Sequence, residues 1–277
     1  MKGIYLTLSK TENEMLIYDI SKLDASIQEI ILGNPKYVKL FSEFPKKLLT
    51  IGKDPKTVKG EKYGAKTGIL YLSPSKKSGQ QVCPMAKIAN CEGPCLDEAG
   101  QGIFENVQIG RLRKTLFLQQ YQEEFISLLK KEVINFGKLC NKQGFIPAIR
   151  PNGTSDIRFE NLIWDFMVQT NKDYGVRWYD YTKIANRLIP DNKVYDLTFS
   201  YSGVEKYQKY VDTAKSLGMR LAVVFRTQDM IPKSFLGMDV VDGDDSDLRF
   251  LEPQGVVSAL YAKGKAKKDY SGFVVDC

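Results

Sequence analysis

The chain has 277 residues, 43% of them hydrophobic and 26% charged, a net charge of +7 and no histidine. This is the composition of a soluble globular protein long enough to bury a sizeable core; without imidazole it builds no Ser-His-Asp or Cys-His catalytic group, no His-ligated zinc and no facial-triad iron. No apolar run approaches the roughly 18 residues of a membrane helix, and the first residues lack an apolar core with a small-residue cleavage site, so a cytoplasmic, reducing setting is expected, with cysteines as thiols or metal ligands.

Residues 1–66 read as an N-terminal helical extension. Ile20 to Leu32 and Tyr37 to Leu49 carry apolar residues at helical spacing, divided by the breaker Gly33-Asn34-Pro35. A lysine-rich connection follows: Lys46, Lys47, Lys53, Lys56, Lys59, Lys62, Lys66, Lys76 and Lys77, against Asp54 and Glu61, carry the whole net charge. Such a run is either a solvated connection or a surface for nucleic acid or nucleotides. No arginine-rich or RNP-like aromatic pattern accompanies it.

A domain over 67–277 is expected beyond it. GILYLS (68–73) is a short buried strand, and the loop 83–95 with Cys83, Cys91 and Cys95 follows directly. Residues 119–140 form the clearest helix, with Tyr121, Phe125, Leu128, Leu129, Val133, Phe136 and Leu139 on one face. Strands are expected at 145–150, 176–181, 194–201, 220–225, 238–241 and 255–262. A second helix spans Phe159 to Met167. A third opens at Ser202-Gly203-Val204-Glu205, which has capping-box spacing, and stops at Gly218. Strands alternating with helices imply right-handed βαβ units and a parallel sheet. Six or seven of them in one domain favour an α/β fold built as a complete or partial (βα) barrel.

In such folds the active site lies at the C-terminal ends of the strands. Here those ends run into Asn152-Gly153-Thr154-Ser155-Asp156, Asp180-Tyr181-Thr182-Lys183, Ser200-Tyr201-Ser202, Arg226-Thr227-Gln228 and Asp242-Gly243-Asp244-Asp245, with Asp247 and Arg249 following. Together with the cysteine loop they outline one polar mouth.

The cysteines are spaced C-x7-C-x3-C. Three thiolates suit an iron–sulfur cluster, and a [4Fe-4S] cubane on three cysteines leaves one iron open. Zinc wants a fourth ligand, for which Asp97 is available. A disulfide is disfavoured by the compartment, and small buried hydrophobes are the remaining reading. Cys140 and Cys277 carry no assigned role.

A three-cysteine loop after the first strand of a (βα) barrel resembles the radical S-adenosylmethionine superfamily. More narrowly, CPMAKIANCEGPC, PNGTSD, YDYT, DGDDSDLRF and GVVSALYAKGKA resemble the phage gene product 88 family over about residues 50–275. The resemblance implies cluster ligation by Cys83, Cys91 and Cys95, contact of Asn152, Ser155 and Asp156 with the methionine amino group, and contact of Ser200 and Ser202 with the ribose. The superfamily's usual C-x3-C-x2-C spacing is shorter than the spacing here, and Pro94 stands where an aromatic residue is usual. Tyr179, Tyr181 and Asp244 are placed by position to handle substrate protons or hydrogen atoms. An electron donor is the implied partner, and a phage setting implies modification of nucleic acid or nucleotides. Two other functions stay open: a nucleic-acid-binding or regulatory protein whose loop is stapled by a cluster or zinc, and a hydrolase holding Mg²⁺ through Asp242, Asp244, Asp245 and Asp247.

Overall fold

A computed structural model describes residues 16–52, 58–91 and 103–276. The breaker at 33–35 divides two helices, α1 (Ala25–Leu32) and α2 (Pro35–Phe41). Asn34 accepts a hydrogen bond from the Lys36 amide at 3.1 Å and Pro35 takes the first helical position, where its missing N–H costs nothing. These helices do not stand apart from the rest. Ile31 and Phe41 are fully buried in one core with Leu116, Phe117 and Phe125, and β1 (Leu49–Ile51) pairs antiparallel with β2 (Ala65–Leu70). The expected boundary at residue 66 therefore falls inside β2, which begins just after Gly64 turns the chain at φ +72°.

Helix α3 (Glu105–Gln120) has no counterpart in the sequence reading. Its four consecutive residues Thr115 to Leu118 are all buried, while Arg111, Arg113 and Lys114 interrupt the apolar positions. A helix buried on several sides shows no single stripe, which is the pattern that periodicity detects. Helices α4 (Gln122–Lys142) and α5 (Glu160–Tyr174) stand where expected.

The remaining strands are β3 (Ile146–Arg150), β4 (Arg177–Thr182), β5 (Tyr195–Ser200), β6 (Leu221–Phe225), β7 (Ser234–Phe235), β8 (Met238–Asp242), β9 (Val257–Tyr261) and β10 (Val274–Val275). They form one sheet in the order β1-β2-β3-β4-β5-β6-β9-β8-β7, with β10 beside β6. All neighbours are parallel except β1 with β2 and β7 with β8. Among the described residues no ladder joins the two end strands, so the sheet's hydrogen bonding does not close on itself.

From β2 to β6 the order advances without reversing, which lets right-handed crossovers lay their helices on the same face. Alternation along each strand shows it. Leu70, Ile149, Trp178, Tyr195 and Leu197 pack in the core that holds α1 to α5. The intervening residues Ala65, Ala148 and Tyr179 meet Leu248 and Phe250 on the opposite face. Helix α6 (Gln208–Ser216) covers Phe199, Leu221, Val223 and Phe225 in a second core.

The turn before α6 departs from the expected capping box. Ser202 donates its hydroxyl to the Ala89 carbonyl at 2.9 Å, and the chain enters α6 through a 3-10 turn, Glu205–Tyr207. Gly218 ends the helical segment at φ +67°, as the sequence predicts. Among the described residues no helix is long and apolar enough to cross a membrane.

Candidate functional site

The cysteine loop leaves β2 and lies across the C-terminal ends of β3 and β5. Its backbone folds around Ala86: the Ala86 amide donates to the Cys83 carbonyl at 3.0 Å, and the Cys91 amide donates to the Ala86 carbonyl at 3.1 Å. Asn90, at φ +50°, turns the chain into Cys91, a conformation that Asn tolerates better than most residues. Three ties fix the loop to the sheet. The Asp156 amide donates to the Val82 carbonyl at 2.8 Å, the Cys83 thiol lies 3.6 Å from the Thr154 carbonyl, and Ser202 holds Ala89.

Cys83 and Cys91 are thus buried members of the second core, which also holds Val82, Ala86, Ala89, Ala185 and Tyr207. Cys95 lies outside the described residues, as do Asp97, Cys277, Lys53 and Lys56. Among the described residues no three cysteines or carboxylates gather as a metal site. Cys140 sits in the helical core, where burial pushes its thiol up to about 11.

The polar strand ends form a buried network beside this loop. β3 and β4 pair only through Ala148 and Ile149, then splay apart, and side chains fill the gap. Asp180 accepts from the Asn152 amide at 3.0 Å, from Asn152 Nδ2 at 2.8 Å and from the Tyr195 hydroxyl at 2.6 Å. Asn152 Nδ2 also donates to the Ile157 carbonyl, and Asn152 Oδ1 accepts from Ser155 Oγ and the Ile157 amide, each at 2.8 Å. Both amide hydrogens and both carbonyl lone pairs of Asn152 are therefore spent inside the fold. Burial raises Asp180 to about 6, against the opposing pull of Arg150, Arg187 and its hydrogen-bond donors.

Asp156 accepts from Thr182 Oγ1 at 2.8 Å, the Lys183 amide at 2.7 Å and Arg187 Nη1 at 3.1 Å. Burial pushes its carboxyl up, and Arg187 and these bonds pull it back. Arg187 also forks onto Glu160 at 2.7 and 2.6 Å. Lys183 reaches Ser200 Oγ and the Ser200 carbonyl, both at 3.1 Å, and lies over the Tyr207 and Phe273 rings. Burial raises the Tyr207 hydroxyl well above its ordinary value, with Asp156 and Cys91 as adjoining negative groups. The structure thus brings Cys83, Cys91, Asn152, Ser155, Asp156, Ser200 and Ser202 to one edge of the sheet.

Tyr179, Tyr181 and Asp244 do not share a centre. The carboxylate that meets the two tyrosines is Asp247: it accepts from Tyr181 at 3.0 Å, from Arg150 Nη1 at 2.9 Å, and lies 3.5 Å from the Tyr179 hydroxyl. Burial drives both phenols above their ordinary range, and the Asp247 charge adds to it. Asp244 instead pairs with Lys263 and accepts from the Tyr261 amide at 3.0 Å. Asp245 pairs with Lys62, and Asp242 accepts from the Asp244 amide at 2.8 Å. The acidic run is distributed over separate partners rather than converging on one point. Arg249, which follows the run, pairs with Glu252 and donates to the Gly243 carbonyl at 2.8 Å.

The lysines are dispersed as well. Lys59 and Lys62 are tied to Asp244 and Asp245, and Lys66 donates to Gln143 at 2.7 Å at the start of β2. Lys76 and Lys77 lie beyond the other end of that strand, so the run along the chain is not one patch in space.

Sequence reasoning missed Arg150, Glu160, Arg187 and Tyr195, which hold the network together. The legible signal was an arginine closing the apolar strand FIPAIR; Glu160 and Arg187 gave none, since neither lies at the end of an expected strand.

Fold and site together define a mixed α/β protein with a mostly parallel sheet and a thiol-bearing loop at the C-terminal strand ends. The chain belongs to the Gene product 88 family, whose sequence model matches residues 46–277. No curated protein and no solved structure matches it.

Proposed function

We propose that this chain is an iron–sulfur protein that holds a [4Fe-4S] cluster through Cys83, Cys91 and Cys95. The observation that carries the reading is the burial of both Cys83 and Cys91 in the second core at the strand ends, on a loop whose backbone bonds each of them to Ala86. The donor set suits the group: soft thiolates, no competing imidazole, and Val82, Ala86, Ala89 and Tyr207 to limit solvent access. A cluster on three cysteines supplies one-electron chemistry and an iron open to an exogenous ligand. Lys183, buried beside Tyr207, places a cation at the edge of that core.

A radical S-adenosylmethionine-like enzyme acting on nucleic acid or nucleotides is the catalytic form of this proposal, and a partial (βα) barrel is the architecture it calls for. The unreversed order from β2 to β6 supports that architecture. The Asn152 side chain has no hydrogen-bonding capacity left for the cofactor's amino group, which leaves only its backbone carbonyl or other groups to hold it. The dispersal of the lysines gives no support to a nucleic-acid-binding protein with a stapled loop.

Anaerobic purification with iron, sulfide and zinc analysis, and EPR of the reduced protein, tests the proposal. About four irons and four sulfides per chain are expected, falling sharply in Cys83→Ala, Cys91→Ala and Cys95→Ala while the far-UV circular dichroism persists. An EPR signal that shifts on adding S-adenosylmethionine extends the reading to that cofactor. Zinc alone, or no metal after anaerobic reconstitution, overturns it.

A further inference from the structure

One carboxylate of the acidic run is turned inward. Asp247 accepts at one oxygen from the Tyr181 hydroxyl, at 3.0 Å, and at the other from Arg150 Nη1, at 2.9 Å, with the Tyr179 hydroxyl 3.5 Å away. The two sides of this contact are held differently. Arg150 closes β3 and Tyr181 is next to last in β4, at the C-terminal strand ends where parallel sheets take their ligands. Arg150 is 7% exposed and lies over the Tyr181 ring at 4.6 Å, and the Tyr179 ring packs edge-on against Phe250. Asp247 instead ends a short turn, Asp244 to Asp247, whose other two carboxylates pair at the surface with the exposed Lys263 and Lys62. The chain is fixed on either side of this turn: the Gly243 amide donates to the Ala259 carbonyl at 2.7 Å, and Leu248 is buried against Ala65, Ala148 and Tyr179. Arg150 has a second counter-charge as well, since its Nε lies 3.7 Å from Asp180 Oδ1.

We propose that Arg150, Tyr179 and Tyr181 form a binding site for the carboxylate of a small organic acid, and that Asp247 is its internal stand-in, which gives way when the ligand arrives. The ligand's two oxygens take the bonds that Asp247 now accepts, so charge-assisted bonds are exchanged one for one and the buried cation is never left unpaired. A planar, two-oxygen acceptor already fits the donors, which favours a carboxylate over a tetrahedral anion. The room it needs is the room the Asp247 side chain vacates. Movement is confined to the turn, because Gly243 and Leu248 stay anchored and Asp180 keeps Arg150 in place. Since Asp247 competes from within the chain, a free ligand binds the wild type more weakly than it binds the bare site. None of this depends on a metal in the cysteine loop.

The test titrates the full chain with acetate and, separately, with inorganic phosphate, at an ionic strength held constant with chloride. Affinity is read from the rise in melting temperature with concentration, and the turn from hydrogen exchange over residues 243–248. The wild type is expected to bind acetate saturably, with faster exchange in the turn and unchanged exchange in β3 and β4. Asp247→Ala is expected to bind it about tenfold more tightly or better, and Asp247→Asn, which keeps the shape and removes the charge, covers a failure of the alanine variant to fold. Tyr181→Phe is expected to weaken acetate binding, and Arg150→Met combined with Asp247→Ala to abolish it. No saturable binding to the wild type makes Asp247 a permanent structural partner and overturns the inference. So does an affinity gain below about threefold on removing the Asp247 charge, or binding that survives the loss of Arg150. Phosphate binding more tightly than acetate overturns the assignment to a carboxylate.

Discussion

Replacing Arg187 with methionine removes the cation that holds two buried carboxylates at the edge of the site. Arg187 is 2% exposed and Asp156 and Glu160 are 9% exposed each, so water cannot take over its role. It donates to both Glu160 oxygens at 2.7 and 2.6 Å, to Asp156 at 3.1 Å, to the Ile157 carbonyl at 3.1 Å and to the Tyr195 hydroxyl at 2.9 Å. Methionine fills much of the volume, which isolates the electrostatic loss from a cavity. Breaking a buried pair by removing one partner costs about 3–5 kcal/mol, because the remaining charge stays desolvated. That is a large share of the roughly 5–15 kcal/mol that stabilises an ordinary domain. Urea unfolding at pH 7 measures it, and Arg187→Lys, which keeps the charge and loses the fork, is expected to fall between. Without Arg187 the Asp156 carboxyl, already raised by burial, loses the positive charge that pulls it back down, so it titrates higher still. The variant's deficit is therefore smaller at pH 4, where that carboxyl takes up its proton more readily, than at pH 7. Because the Asp156 amide anchors Val82, the thiol of Cys83 in the metal-free variant should also react faster with a disulfide reagent. A loss below about 1 kcal/mol at pH 7, or one that does not shrink toward pH 4, would refute the assignment of Arg187 as the clamp of this edge.

Asp180 gives a second pH signature: its folded value of about 6 lies above the ordinary carboxyl value of 3.8, so the folded state binds the proton more tightly between them. Its contribution is largest in acid and fades as pH rises through 6, by about 2 kcal/mol between pH 4 and pH 7, measured as the change in the stability difference between wild type and Asp180→Asn. Gly243→Ala should destabilise by about 1–3 kcal/mol, since the new Cβ would stand 2.4 Å from Ser258 Oγ and 2.8 Å from the Ala259 carbonyl. Gly110→Ala, in α3 with open space around it, should instead stabilise the fold through helix propensity by about 0.5–1 kcal/mol, read as a raised melting temperature. A melting temperature unchanged in both would contradict the close approach of the 243 turn to β9. Cys83→Ala, Cys91→Ala and Cys95→Ala, tested for iron and sulfide as above, should each lose the cluster while staying folded.

The alternation of strands and helices from 145 to 225 was legible because each of these strands is an apolar run and each helix carries a stripe, and both patterns follow from residue spacing alone. The parallel sheet and the C-terminal edge that gathers the polar tails came with them. So did the three-cysteine loop, since thiol spacing is a property of the chain. The fate of the polar tails was not legible. Asn152 and Asp180 read as ligand-facing groups, yet the splay between β3 and β4 turned them toward each other, and that splay depends on how the whole sheet twists. Ser202 had capping-box spacing with Glu205, but a carbonyl on the cysteine loop was the better-placed partner. The acidic run looked like one cluster because its residues are adjacent in sequence; in space Lys62, Lys263 and Arg150 draw them apart. Composition and spacing thus determined the strands and helices from 145 to 225 and where the thiols stand along the chain. Only the tertiary structure decided which buried charge meets which, because those partners lie tens of residues apart and are chosen by packing rather than by neighbourhood.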